Sequence, residues 1–349
     1  MMHGHPLAEA DLTHILCHTG DAFAKLAGRR LVLTGCTGFF GKWLLEAFSF
    51  ADRHLNLEMQ LLVLTRAPAK FKAHFPWIAE SPAIEFIEGD VRTFTVDGGP
   101  VDYVLHGATS VSPPFASENP VELTDVIVNG TRQALAVTMK RDTKRFLLIS
   151  SGAVYGTQPP DVAGLREEYV SVPDQAAAST YGEAKRTAEV LAQRHSLEHG
   201  LSLSVARCFA FIGPHLPLEF NFAAGNFIRD GLRGDPILIK GDGTTLRSYM
   251  YAADLVIWLI RILVEGAPGA TYNVGSGDAV SIADLARLIA ERCPEHSGDI
   301  TVAGTAIPGA LPARYIPDVR KAGEELDLHC RIPLPDAISR TVAWYLEPE

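Results

Sequence analysis

Tyr181 and Lys185 stand four residues apart in Thr180-Tyr181-Gly182-Glu183-Ala184-Lys185. On a helix this spacing puts both side chains on one face and brings an ammonium beside a phenol. A phenol with its ordinary pKa of about 10 is a poor base at neutral pH. A close cation favours the phenolate and draws that value toward the working range, which makes the pair a candidate proton carrier. The spacing is common in helices by chance, and its weight comes from its distance after Ser150-Ser151-Gly152-Ala153-Val154-Tyr155-Gly156. There a hydroxyl at the end of an apolar run would share a substrate oxygen with Tyr181.

A second stretch, Thr34-Gly35-Cys36-Thr37-Gly38-Phe39-Phe40-Gly41, lies between the apolar run Arg30-Leu31-Val32-Leu33 and the helically spaced Lys42-Trp43-Leu44-Leu45-Glu46-Ala47-Phe48. Strand, glycine turn and helix open a dinucleotide-binding unit. Gly35 allows the tight turn, Gly38 lets the backbone approach a pyrophosphate, and Gly41 lets helix and strand pack closely, with free N–H groups facing the anion. A dinucleotide beside a proton carrier is the equipment of a redox enzyme.

The elements that must hold these groups follow from periodicity. Apolar runs at Leu31 to Leu33, Leu61 to Leu64, Ile84 to Ile87, Tyr103 to Leu105, Phe146 to Ile149 and Leu203 to Ala206 alternate with helical stretches. This predicts an α/β fold, a Rossmann-type doubly wound parallel sheet. Beyond Arg207 the pattern loosens, with helices expected near Asn226 to Leu232, Ala253 to Val264 and Ile282 to Arg292, which suits a smaller C-terminal substrate lobe. The expected division is an N-terminal arm over 1–28, a Rossmann domain over 29–206 and the substrate lobe over 207–349, with a segment near 247–276 returning to the Rossmann domain.

Thr-Gly-x-x-Gly-Phe-x-Gly followed much later by Tyr-x-x-x-Lys resembles the extended short-chain dehydrogenase/reductase family, from about Arg29 to about Leu328. That family mostly remodels nucleotide-linked sugars. The resemblance implies that Ser151, selected over Ser150 by the family's Ser-x-x-x-Tyr-Gly pattern, joins Tyr181 and Lys185 as the catalytic set. Tyr181 would exchange a proton with a sugar oxygen that Ser151 also bonds, Lys185 would hold the nicotinamide ribose, and hydride would pass between the sugar and nicotinamide C4.

The resemblance also implies cofactor contacts from Gly35, Thr37, Gly38, Phe39, Phe40 and Gly41, from Asp90 on the adenine amino group with Val91 beside it, and from Ala108 and Thr109 after the fourth strand. The family asparagine before Gly130 is Ile127 here, one polar contact fewer. Leu64-Thr65-Arg66 ends the second strand where many NAD-binding relatives carry an acid. A guanidinium can instead pair with a 2′-phosphate, so Arg66 turns the expectation toward NADP, with NAD left open. In the substrate lobe Arg247 resembles a diphosphate-gripping arginine, and Asn226 and Phe227 resemble pocket-lining residues. The late Arg-Pro-Gly motif reads Ile307-Pro308-Gly309, with Arg314 as a substitute, and a family asparagine is Ala210.

Relatives that eliminate water carry an Asp-Glu pair where this chain has Gly152 and Ala153, and decarboxylating relatives usually carry an acid at the Ala153 position. The expectation is therefore a 4-epimerase or 4-ketoreductase of a nucleotide-diphosphate sugar. A 4,6-dehydratase is disfavoured, and a non-catalytic redox sensor that only binds dinucleotide is the alternative of another class.

A chain of 349 residues with 47% hydrophobic content buries a large core. A net charge of −10 and a pI near 5.6 oppose a nucleic-acid surface. Cys17, Cys36, Cys208, Cys293 and Cys330 form no Cys-x-x-Cys pair, so reduced thiols are expected, without zinc or disulfides. His3, His5, His14 and His18 read as solvated rather than metal-binding. No leader or membrane-length apolar stretch is evident, so a cytoplasmic protein without membrane contact is expected. A homodimer is expected through Leu123 to Met139 and Ala184 to Ala192.

Overall fold

Six leucine-, isoleucine- and valine-rich runs become the strands β1 (Arg30–Thr34), β2 (Gln60–Thr65), β3 (Ile84–Glu88), β4 (Tyr103–His106), β5 (Arg145–Ser151) and β6 (Ser202–Cys208) of a computed structural model. It describes residues 4–109, 119–170, 179–219, 222–295 and 298–347; His3 lies outside them. Further along come β7 (Phe211–Ile212), β8 (Ile237–Ile239), β9 (Leu246–Arg247), β10 (Met250–Tyr251), β11 (Thr271–Val274), β12 (Val280–Ser281), β13 (Ile300–Val302) and β14 (Arg314–Tyr315). The central sheet is parallel throughout, in the order β11-β6-β5-β4-β1-β2-β3.

Strand alternation divides the core between the two faces. Leu31, Leu33, Leu61, Val63, Leu147 and Ile149 enter one buried cluster, whereas Val32, Leu62, Leu64, Phe146 and Leu148 enter the other. Both faces are covered, which is why these strands read as unbroken apolar runs. The helices Phe39–Leu55 and Ala252–Glu265 supply Trp43 and Trp258 to the first cluster, and Pro120–Lys140 and Thr180–His199 supply Leu123 and Ala184 to the second.

Strand order reverses between β1 and β4. The crevice at their carboxyl ends is where open α/β sheets take ligands. Outside the central sheet the C-terminal part of the chain forms the helices Ala223–Arg233 and Ile282–Ala290, the parallel pair β8 and β13, and a three-stranded sheet β12-β9-β14. The chain re-enters the central sheet as β11, pairing Thr271 to Val274 with Val205 to Cys208.

Residues 4–28, expected as an arm, are built into the body. The helix Glu9–Thr19 buries Leu12 and Ile15, and Asp11 accepts hydrogen bonds from Tyr251 (2.6 Å) and Arg340 (2.5 Å). His14 lies 3.2 Å from Asp254, and a ring nitrogen of His5 lies 2.8 Å from the Trp344 carbonyl oxygen, so these two are partnered rather than solvated. The amphipathic spacing of Leu12 and Ile15 is what seats this helix. The expected dimer face is also redistributed: Leu123, Ala184, Ala188 and Ala192 belong to the chain's own core, while Val190 and Leu197 point outward. Among the described residues no helix is long and apolar enough to cross a membrane, and no three His, Cys, Asp or Glu side chains gather as a metal site. All five cysteines are free.

Candidate active site

Gly35 follows β1 with φ +78°, and a Cβ there would lie 2.5 Å from the carbonyl carbon of Gly107 at the end of β4. The turn is open to glycine alone on both counts. Gly38 caps the 17-residue helix Phe39–Leu55 with no side chain on its N–H groups. A Cβ on Gly38 would meet only the Gly35 carbonyl oxygen, at 3.6 Å, so the space above this helix start is free for an anion. Gly41 is different in kind: its Cβ would sit 2.1 Å from the Cys36 Cα, so it is the packing glycine. Thr37, Phe39 and Phe40 are partly exposed around this mouth, and Phe40 is braced edge-on by Phe211 at 4.9 Å. Ala108 donates its N–H to the Thr34 hydroxyl at 3.3 Å, and Thr109 Oγ1 is buried without a partner among the described residues. Glycine cradle, bare helix start and orphaned hydroxyl fit a dinucleotide.

Just beyond β3, Arg92 engages both oxygens of Asp90, with its Nε and Nη2 at 2.8 Å, and also reaches Glu122 and Asp125. These hydrogen bonds hold the Asp90 carboxyl down at about 2. Val91 sits against Gly130, where a Cβ would approach to 2.9 Å. Arg66 is exposed beyond the end of β2 and contributes positive charge near Asp90.

Ser151, Tyr181 and Lys185 converge at the carboxyl end of β5. Ser151 Oγ accepts the Ala153 N–H at 3.1 Å, and its hydroxyl works to lower the pKa of the nearby Tyr181 phenol. Ser150 faces the opposite way and donates to buried Glu189 at 2.5 Å. Strand alternation thus separates the two serines. Lys185 Nζ donates to the Ile149 carbonyl at 2.9 Å and lies 5.9 Å from the centre of the Tyr181 ring. The electrostatics correct the expectation of a softened phenol. Burial raises Tyr181 to about 12, against the opposing effect of Ser151, and burial lowers Lys185 to about 8. Desolvation disfavours each charged form more than the neighbours recover.

Behind this group Glu189 pairs with Arg207 at 2.7 Å, Arg207 donates to Tyr155, and Tyr155 donates to Asn273 on β11. His106 is buried between the hydroxyls of Thr34 and Thr131 at 2.7 and 3.1 Å. Burial holds it down at about 3, so it remains neutral.

The substrate-lobe expectations separate. Arg247 lies opposite Tyr315 across β9 and β14, its guanidinium carbon 4.9 Å from the centre of the Tyr315 ring. Arg314 lies opposite Leu246, on the other face of the same strands, with its Nε buried and unpartnered, so it does not stand beside Arg247. Asn226 is half-buried in the first turn of the helix Ala223–Arg233, while Phe227 is a core side chain rather than a pocket wall.

Tyr315 was not among the expected site residues. Its hydroxyl lies 2.6 Å from where a Cβ on Gly152 would stand, and its ring lies 4.7 Å from that of Phe209. The sequence signal was only its place beside Arg314.

A glycine-cradled crevice at a strand-order reversal, with a Ser, Tyr and Lys cluster at the end of a neighbouring strand, is the arrangement of the extended short-chain dehydrogenase/reductase fold. The chain belongs to the NAD dependent epimerase/dehydratase family, whose sequence profile matches residues 31–275, from β1 to the end of β11. It is 30% identical to UDP-glucuronic acid decarboxylase 6 of Arabidopsis thaliana over 312 residues, 88% of this chain and 86% of that protein. It is 28% identical to UDP-glucuronic acid decarboxylase 1 of Xenopus tropicalis over 319 residues, 91% and 72% of the two chains. The fold matches an epimerase from Methanothermobacter thermautotrophicus with a TM-score of 0.78 at 22% identity, covering 98% and 96% of the chains. It also matches the UDP-glucose 4-epimerase of Thermotoga maritima, solved with UDP-glucose, with a TM-score of 0.73 at 22% identity over 90% and 98%.

Proposed function

We propose that this protein catalyses oxidoreduction at C4 of a nucleotide-diphosphate sugar, as a 4-epimerase or a 4-ketoreductase. The observation that carries the reading is the gathering of Tyr181 and Lys185 beside Ser151 at the carboxyl end of β5, with Lys185 held on the Ile149 carbonyl and no acid at Gly152 or Ala153. A bound nicotinamide dinucleotide supplies the hydride exchange. Gly35, Thr37, Gly38, Phe39, Phe40, Ala108 and Thr109 form its cradle. Tyr181 carries the proton of the C4 oxygen, and Ser151 bonds that same oxygen. Arg247 and Asn226 are placed to take the diphosphate, and the orphaned Nε of Arg314 is a polar group from the other face of β14.

A Cβ on Gly152 would lie 2.6 Å from the Tyr315 hydroxyl and 2.8 Å from the Phe209 ring. That wall, together with Ala153, argues against the acid-assisted elimination of a 4,6-dehydratase. Decarboxylation is the second reading, favoured by the likeness to UDP-glucuronic acid decarboxylases. It uses the same C4 oxidation, because a 4-keto glucuronate is a β-keto acid and loses CO2. The test is incubation with nucleotide-linked glucose, glucuronate and 4-keto sugars, with products followed by NMR. C4 epimers or C4 alcohols support the proposal, and CO2 release from the glucuronate replaces it with the second reading.

Two predictions belong here. Lys185 is lowered from 10.5 to about 8, so its ammonium is present below that pH and is lost as pH rises through it. The rate is therefore expected to fall above about pH 8; a pH profile of kcat that stays flat well beyond it removes the Lys185 ammonium from the mechanism. If Arg66 holds a 2′-phosphate, Arg66→Ala weakens NADPH about tenfold and leaves NADH unchanged. Calorimetric titration checks this, and a wild-type protein that binds NADH as tightly as NADPH defeats the assignment.

A further inference from the structure

The helix Thr180–His199, which carries Tyr181 and Lys185, is seated on the sheet almost without bulk. The residues it buries are Gly182, Ala184, Ala188 and Ala192, together with Lys185 and Glu189. Glycine and alanine let a helix lie close to a sheet, but they offer no large side chain to interlock with it, so they fix its rotation and axial position only weakly. Directional contacts must supply the rest. One is the Lys185 bond to the Ile149 carbonyl oxygen, at 2.9 Å. Another is made by Glu189, which lies one turn further along the same face and is 4% exposed.

Glu189 sits over two residues that stand opposite each other in register, Ser150 of β5 and Arg207 of β6. Ser150 donates its hydroxyl to Glu189 Oε1 at 2.5 Å. Arg207 donates to Oε1 through Nε at 3.0 Å and to Oε2 through Nη2 at 2.7 Å. The guanidinium is not free to follow the helix, because its Nη1 donates to the Tyr155 hydroxyl and to the Glu167 carbonyl oxygen, both at 2.9 Å. Its carbon also lies 4.7 Å from the centre of the Tyr155 ring. We propose that Glu189 is a positioning residue: clasped by Ser150 and Arg207 from two strands at once, its carboxylate fixes the rotation of the helix that presents Tyr181 beside Ser151 and aims Lys185 at the Ile149 carbonyl. This rests on the C4 oxidoreductase reading and adds a residue to it.

A single hydrogen bond lets a helix pivot about it, whereas a planar carboxylate held from two neighbouring strands resists both turning and sliding. Turning the helix away would strand the buried charges of Glu189 and Arg207, which is strongly unfavourable. Ser150 and Ser151 then act on one frame from opposite sides of β5: Ser150 anchors the helix, and Ser151 meets the phenol that the anchored helix delivers. The Glu189 carboxylate also works with Cys208 against the burial that brings Lys185 down to about 8.

Glu189→Gln would strand the Arg207 charge and report on folding, so the clasp is better opened from the strand side. Ser150→Ala does this while keeping the Glu189–Arg207 ion pair. The readout that needs no substrate is the fluorine NMR resonance of 3-fluorotyrosine built in at Tyr181 of the intact chain. In Ser150→Ala this resonance should move by more than its linewidth, and kcat should fall about tenfold with KM within about twofold, the scale of one hydrogen bond to a charged group. Ser196→Ala is the control, because it removes another hydroxyl bond of the same helix, to the Leu201 carbonyl oxygen at 2.6 Å, at the end remote from Tyr181. It should lower the melting temperature yet leave the resonance and kcat unchanged. An unmoved resonance in Ser150→Ala, or an equal movement in Ser196→Ala, overturns the inference whatever the rate. A moved resonance with an unchanged kcat overturns it too, since the position would then not matter to turnover. If the wild type turns over no nucleotide sugar, the C4 reading fails while the fluorine measurement still decides whether Glu189 sets the place of Tyr181.

Discussion

Tyr181→Phe is expected to lower turnover by roughly 10²–10⁴-fold, the range that a positioned proton carrier contributes. The substitution removes a hydroxyl and nothing else. The ring keeps its packing beside the second core cluster, and Lys185 keeps its hydrogen bond to Ile149 at 2.9 Å. Melting temperature and dinucleotide affinity should therefore stay close to wild type, with the whole effect in kcat. Ser151 is left with a donor that can still reach the sugar oxygen but cannot remove a proton from it, because a serine hydroxyl is too weak a base at these pH values. Stopped-flow measurement of nicotinamide absorbance in a single turnover separates chemistry from product release. The same variant distinguishes the enzyme from a redox sensor that only binds dinucleotide. A sensor would keep its binding and its output, whereas an enzyme keeps its binding and stops. Turnover within a few-fold of wild type would show that the proton travels by another route.

The second large effect concerns the glycine turn, where Gly41 and Gly38 should fail in different ways. Gly41→Ala drives a Cβ to 2.1 Å from the Cys36 Cα, a backbone atom that cannot rotate aside. The loop or the whole helix Phe39–Leu55 must shift, at a cost of about 1–3 kcal/mol or more for overpacking. The variant should lose both stability and dinucleotide. Gly38→Ala meets only a carbonyl oxygen at 3.6 Å, and its backbone is extended, with φ −86°. That protein should fold with an unchanged melting temperature, yet bind dinucleotide poorly because the new methyl stands where the pyrophosphate must approach. Thermal melts read beside calorimetric titrations decide between the two. A Gly38→Ala protein with full affinity would mean that the anion does not sit at this helix start.

How much of this was legible in the residues depended on the distance over which each signal acts. The central sheet was visible because parallel strands buried on both faces must be apolar along their length, and all six of those runs fall within strands. The glycine turn was visible because its constraints are local. The three-stranded sheet was not: β9, β12 and β14 have two residues each, so neither alternation nor composition marks them, and tertiary register alone places Tyr315 opposite Arg247. For the same reason nothing in the sequence showed that Arg314, the substitute for the late motif's arginine, lies on the other face of β14 from Tyr315. Phe227 reads as a pocket residue by resemblance, yet it is core, because its helix turns that face inward. The protonation state of Tyr181 was misjudged because spacing reports a neighbour and not a dielectric. Lys185 was present as expected, but its ammonium is spent on a backbone carbonyl, and burial governs both groups.

The place of β11 in the central sheet has a consequence for how the chain is made and how it fails. Its neighbour β6 ends at Cys208, and the partner strand begins only at Thr271, after the helix Ala223–Arg233 and the strands β8 and β9 have been synthesised. Until then a leaving ribosomal chain carries β6 as a bare, apolar edge with unpaired N–H and C=O groups, a template for self-association. Separating the two lobes by truncation recreates that edge permanently. The lobes are therefore expected to melt in one cooperative transition, and a fragment ending near 208 should precipitate even though it holds the glycine turn, Ser151, Tyr181 and Lys185.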